Sequence, residues 1–90
     1  GYPPDDGWAK IRNPEGTLKI EFQWDEHYVA PVWPTEPGTQ QMMMHLDIAV
    51  DDLEGGVAWA VSQGATIAAH QPQADVRVML DPAGHPFCLF

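Results

Sequence analysis

The chain has 90 residues, enough for one small domain with a thin core. Thirteen Asp and Glu face four Lys and Arg, a formal net charge of −9, so the basic footprint that nucleic acid requires is missing. An apolar content of 44% argues against disorder, no apolar run approaches the ~20 residues of a membrane span, and nothing reads as a secretory leader.

These features predict a soluble, cytoplasmic protein with neither nucleic-acid nor membrane partners. Cys88 is the single cysteine, which excludes an intrachain disulfide and fits a reducing compartment. The acidic residues are dispersed, as on a solvated surface. The chain opens on Gly1 rather than Met, which reads as a trimmed or processed start.

In chain order, residues 8–13 read as a short strand with Ala9 and Ile11 on one face. The turn Asn13-Pro14-Glu15-Gly16 follows, with Pro and Gly where a type I turn prefers them. Leu18, Ile20 and Phe22 then alternate with Lys19, Glu21 and Gln23, a strand with one apolar and one polar face. Residues 25–40 contain Pro31, Pro34 and Pro37 and lose all periodicity. This is a long connection, expected to be ordered by Tyr28 and Trp33 packing down.

The second half is clearer. Residues 43–50 read as a strand, with Leu46, Ile48 and Val50 opposite His45, Asp47 and Ala49. A helix is predicted over 52–63, with Asp51 as N-cap, Glu54 completing a capping box and Gly64 at the C-terminal turn. Its stripe of Leu53, Val57, Ala60 and Val61 should face a sheet. Strands are expected at 65–70, 76–80 and 85–90, the last two joined by Asp81-Pro82-Ala83-Gly84. The order is β-α-β-β-β. The x-Pro-x-Gly turn occurs twice, each time between two strands, which suggests an internal repeat.

The run His45-Leu46-Asp47-Ile48-Ala49-Val50-Asp51-Asp52-Leu53, then Gly64-Ala65, then Asp81 to Leu89 (DPAGHPFCL) resembles the second module of glyoxalase-like domains. These belong to the glyoxalase/bleomycin-resistance, or vicinal-oxygen-chelate, superfamily. The earlier strands and Val32-Trp33-Pro34 share the likeness. The resemblance implies an α+β fold of tandem βαβββ modules whose curled mixed sheets enclose a cavity, the first module lacking its opening strand and helix. Residues 1–24 would be the remainder of that module, 25–42 a Pro-rich linker and 43–90 the second module. A homodimer is also expected, because a missing strand leaves a sheet edge unpaired.

Metal-dependent members of the superfamily hold one divalent ion with a residue from the first and last strand of each module. On that pattern His45 matches the second module's opening ligand. Glu21 lies within one residue of the first module's closing ligand. Both are thus candidate metal ligands and catalytic residues, the ion acting as a Lewis acid. The competing readings are a hydrogen-bonding cavity wall for His45 and a solvent-facing carboxylate for Glu21. Cys88 stands where metal-binding members carry Glu; a thiolate binds zinc, yet its apolar neighbours suit a small buried hydrophobe. Gln23, Asp47, Trp33 and Cys88 are candidate lining of a cavity for a small organic ligand. Three functions follow: a lyase, isomerase or dioxygenase with one divalent metal, a metal-free sequestering protein of the bleomycin-resistance type, or a remnant that folds only with further chain.

Overall fold

The computed structural model describes residues 7–90, so the first six residues of the expected 1–24 segment lie outside it. Its elements are β1 (Trp8–Arg12), β2 (Lys19–Gln23), β3 (Asp47–Ile48), α1 (Leu53–Ser62), β4 (Thr66–Ile67), β5 (Arg77–Leu80) and β6 (Pro86–Leu89). β1 and β2 form a two-stranded antiparallel sheet, and the other strands a second sheet in the order β3-β6-β5-β4. β3 runs parallel to β6 and the remaining pairs are antiparallel, so this sheet is mixed. The α+β class holds, but both sheets are open where curled, enclosing sheets were expected. Among the described residues no helix is long and apolar enough to cross a membrane.

Two predicted strands are shorter than their sequence patterns. The 43–50 strand is regular only at Asp47–Ile48. Its ladder runs a little further, with Cys88 N–H donating to the Leu46 carbonyl (2.8 Å), Phe90 to Ile48 (3.1 Å) and Val50 to Phe90 (2.8 Å). β3 is an edge strand, so pairing ends where β6 ends, and Met43 and Met44 are exposed. The 65–70 strand stops at Ile67 because a side chain replaces the ladder. Gln71 Oε1 accepts from Val78 N–H and its Nε2 donates to the Ala68 and Val78 carbonyls, each at 2.8 Å.

The helix begins one residue later than predicted. Asp52, not Asp51, is the N-cap, its carboxylate accepting from Gly55 N–H at 3.1 Å. Glu54 therefore falls too early for a capping box, and instead places a negative charge in the first turn against the helix dipole. Gly56 fits closely there: a Cβ would meet the Val50 side chain at 3.1 Å, so that side chain would have to give way by a few tenths of an ångström.

Leu53, Val57 and Ala60 pack on Met79, Leu89 and Phe87. Met79 is fully enclosed. Val61, expected in the same stripe, is 45% exposed: it turns off the helix–sheet contact toward an open groove shared with Leu53, Val57, Ile67 and Arg77.

The two x-Pro-x-Gly turns adopt one geometry. Gly16 N–H donates to the Asn13 carbonyl (3.0 Å) and Gly84 N–H to that of Asp81 (2.9 Å). Both glycines have positive φ, 72° and 90°, a region that L side chains avoid. The leading side chain closes each turn, Asn13 Oδ1 accepting from Leu18 N–H and Asp81 Oδ1 from His85 N–H. The first loop has one residue more, since Asn13 bonds to Leu18 and Asp81 to His85. With that offset the registers coincide: Arg12↔Lys19 matches Leu80↔Pro86, and Lys10↔Glu21 matches Val78↔Cys88.

The long connection between the sheets is held to the second half by its aromatics. Tyr28 Oη donates to the Ala83 carbonyl at 2.7 Å and its ring lies 5.2 Å from that of His85. Trp33 Nε1 donates to the His70 carbonyl at 3.3 Å.

Candidate functional site

Strand alternation sends successive side chains to opposite faces of a sheet. The helix covers the face bearing Met79, Phe87 and Leu89. Asp47 and Cys88 are direct partners across the parallel β3–β6 pair, and Val78 lies opposite Cys88 on β5. These three consequently project from the other face. His45, two residues before Asp47, joins them: its Nε2 stands 3.1 Å from Asp47 Oδ1. One donor atom each from His45, Asp47 and Cys88 lies within 4.8 Å of the others, the one such His/Cys/Asp/Glu group among the described residues.

The electrostatics of the group follow from its geometry. Burial pushes the Cys88 thiol up from its ordinary value, and the Asp47 carboxylate, by its charge and by accepting a hydrogen bond from the thiol, pushes it further. Both effects favour the protonated thiol. Asp47 is thus shared between an imidazole and a thiol. The face is accessible: the His45 and Asp47 side chains are 39% and 60% exposed.

A sequence model described as the glyoxalase-like domain matches residues 2–90. The chain belongs to the glyoxalase-like family. Membership places it in the glyoxalase/bleomycin-resistance superfamily, as the motif around His45 and the Asp81-Pro82-Ala83-Gly84 turn led one to expect. Searches of the curated proteins and of the solved structures returned no match.

The remaining candidates of this glyoxalase-like chain are dispersed. Glu21 does hold in the first hairpin the place of Cys88 in the second. Its carboxylate, however, sits 3.1 Å from Lys19 Nζ and 4.0 Å from Lys10 Nζ, on the sheet that does not carry His45. Gln23, on the same strand, pairs with Trp8. Trp33 lies against His70, its ring 5.9 Å away, and ties down the connection. His85 is taken up by the turn, its Nδ1 2.8 Å from Asp81 Oδ2.

Asp47 as a potential ion donor is the residue that sequence reasoning passed over. The signal was there, because an i, i+2 pair in a strand shares a face. Its role as the partner of Cys88 depends on the β3–β6 register, which no local pattern specifies.

Proposed function

We propose that this glyoxalase-like chain binds a small organic molecule against the His45–Asp47–Cys88 face of its four-stranded sheet. The observation that carries the reading is the convergence of an imidazole, a carboxylate and a thiol on the face the helix leaves open. Such a cluster supplies both hydrogen-bond donors and acceptors, and polar groups of this kind orient a ligand while neighbouring apolar surface supplies its burial. Val78, the apolar register partner of Cys88 on this face, is itself buried.

A second reading, catalysis of the lyase, isomerase or dioxygenase type, is favoured by the donor set itself. Three side chains of metal-ligating chemistry fit a divalent ion with a position left for substrate oxygen. When bound, such an ion acts as a Lewis acid toward an oxyanion. The chain's own residues would hold and orient the molecule: His45 would donate to its oxygens, Asp47 would accept from its hydroxyls, and Cys88 would lie beside them.

Amide NMR shift mapping tests the binding reading. Catechol, which carries two vicinal oxygens, and indole, a flat aromatic, serve as probes. Perturbations should cluster at residues 45–50 and 86–90 and disappear in His45→Ala. Perturbations confined to the groove of Leu53, Val57 and Arg77, or none with either probe, would overturn it.

A further inference from the structure

We propose that the apolar face of the β1–β2 hairpin is a docking surface for a second copy of this chain, the two hairpins packing face to face about a two-fold axis. The second hairpin shows that a face of this kind is one that becomes covered. With the registers matched, Ile11↔Ile20 corresponds to Met79↔Phe87, and Ala9↔Phe22 to Arg77↔Leu89. In the second hairpin that face lies against α1, with Met79 and Leu89 buried. In the first it has no such cover. α1, the one helix among the described residues, packs on the other sheet, and Ile11 and Leu18 stay more than half exposed. A two-stranded sheet by itself is marginally stable in water, so covering this face steadies the hairpin as well.

Polarity selects the occupant. Ala9, Ile11, Leu18, Ile20, Phe22 and Trp24 share this face by strand alternation and carry no charge. Lys10, Arg12 and Lys19, three of the four cations of the chain, alternate to the opposite face with Glu21. A partner here finds no charge to read, which disfavours an acidic or basic peptide and an anionic surface. It favours a partner with the same uncharged pattern. Two copies meet that condition, and in this orientation their like charges point away from each other, although each carries a net −9.

Shape points the same way. The turn end of the face is hollow: Ile11, Leu18 and Ile20 line a depression of about 230 Å³, with Arg12 and Asn13 completing its wall. The open end is bulky, with Phe22 and Trp24 each 43% exposed. A two-fold axis in the seam, perpendicular to the strands, reverses one hairpin over the other. The bulky end of each copy then lies over the hollow end of its partner, and every contact is made twice. The sheets would stack about 10 Å apart, the ordinary spacing of packed sheets. Two five-residue strands present less than the roughly 800 Å² per partner of a standard interface, so the dimer is a weak one, micromolar or weaker. The seam uses a face rather than the unpaired strand edge from which a homodimer was expected, and it does not involve the His45 face.

The test is sedimentation equilibrium of the full chain, reduced so that Cys88 cannot cross-link, from about 5 to about 500 μM. The average mass should rise with concentration from 10.0 kDa toward twice that value. The rise should persist when salt is added, because the seam joins uncharged side chains. At the highest concentration, mixed carbon-13-labelled and unlabelled chains should give intermolecular NOEs from the Phe22 ring to the Ile11 and Leu18 methyls, a readout that needs no variant to fold. Phe22→Asp and Ile11→Lys should each weaken association by more than about tenfold. Lys10→Gln, on the opposite face, should leave it unchanged. A mass that stays at the monomer value throughout, a dimer that salt dissociates, intermolecular NOEs at the β3 or β4 edge or along α1 in place of the hairpin, or a dimer that survives both Phe22→Asp and Ile11→Lys would each overturn the proposal.

Discussion

Asp81 makes the strongest local prediction, because one carboxylate holds the turn that delivers Cys88 to its strand. Its Oδ1 accepts from Ala83 N–H (2.9 Å) and His85 N–H (2.8 Å), and Oδ2 meets His85 Nδ1 at 2.8 Å. Asp81→Ala removes all three. The two backbone bonds contribute about 0.5–1.5 kcal/mol each, and the half-exposed imidazole pair at most about 1 kcal/mol. A loss near 2 kcal/mol is expected, which at about 4–8 °C per kcal/mol for a domain of this size lowers Tm by about 8–16 °C. Asp81→Asn keeps an acceptor for the backbone and gives up only the imidazole contact, so its loss should stay below about 1 kcal/mol. Urea unfolding followed by tryptophan fluorescence measures both. If Asp81→Ala costs less than about 0.5 kcal/mol, what a featureless surface position gives, the turn is not held by this carboxylate and the reasoning fails.

Three further outcomes follow. Met79→Ala, which empties the fully enclosed centre of the core, should cost about 2–5 kcal/mol in the same urea assay. Tyr28→Phe, which deletes the 2.7 Å bond to the Ala83 carbonyl, should cost about 0.5–1.5 kcal/mol and speed proteolytic cleavage within residues 25–40. Stability should also fall as pH rises. Burial raises the Cys88 thiol, with Asp47 adding to it, and burial raises the Tyr28 phenol, with Asp81 adding to it. The folded chain therefore holds these protons more tightly than the unfolded chain, and stability declines once pH passes the unfolded thiol and phenol values of about 8.5 and 10. Urea midpoints at rising pH should show this decline, shallower in Cys88→Ser; a midpoint that climbs with pH would reverse the sign.

Local chemistry was legible in the sequence to different depths. Both turns could be read because their devices lie within four or five residues: a leading Asn or Asp, a Pro, and a Gly that enters the positive-φ region. The helix was legible from its apolar stripe, while its N-cap was misplaced by one because Asp51 and Asp52 are chemically alike and only the Gly55 contact separates them. Strand lengths were not legible. Alternation in 43–50 and 65–70 continues past the point where a partner exists, since pairing is set by where β6 ends and by Gln71 intruding on Val78. The docking of Tyr28 and Trp33 was anticipated as packing, but their hydrogen-bond acceptors lie 55 and 37 residues away and carry no local trace.

The site was legible as two faces of strands but not as a set. His45 and Asp47 follow from alternation; Cys88 joins them only through the β3–β6 register. The matching registers of the two hairpins sharpen the point. Glu21 and Cys88 occupy the same place, yet Lys10 lies opposite Glu21 while Val78 lies opposite Cys88. In the first hairpin the neighbours neutralise the carboxylate and hold it in an exposed ion pair worth little. In the second, the apolar neighbour leaves the thiol to interact with Asp47 and, beyond it, His45. One backbone position thus presents a carboxylate paired with lysines on one sheet and a thiol bonded to Asp47 on the other, and the nearer of the two lysines, Lys19 at 3.1 Å, lies on the same strand as Glu21. Val78→Lys would place a cation beside Cys88 and Asp47, whereas Lys10→Val would still leave Glu21 its 3.1 Å partner, Lys19.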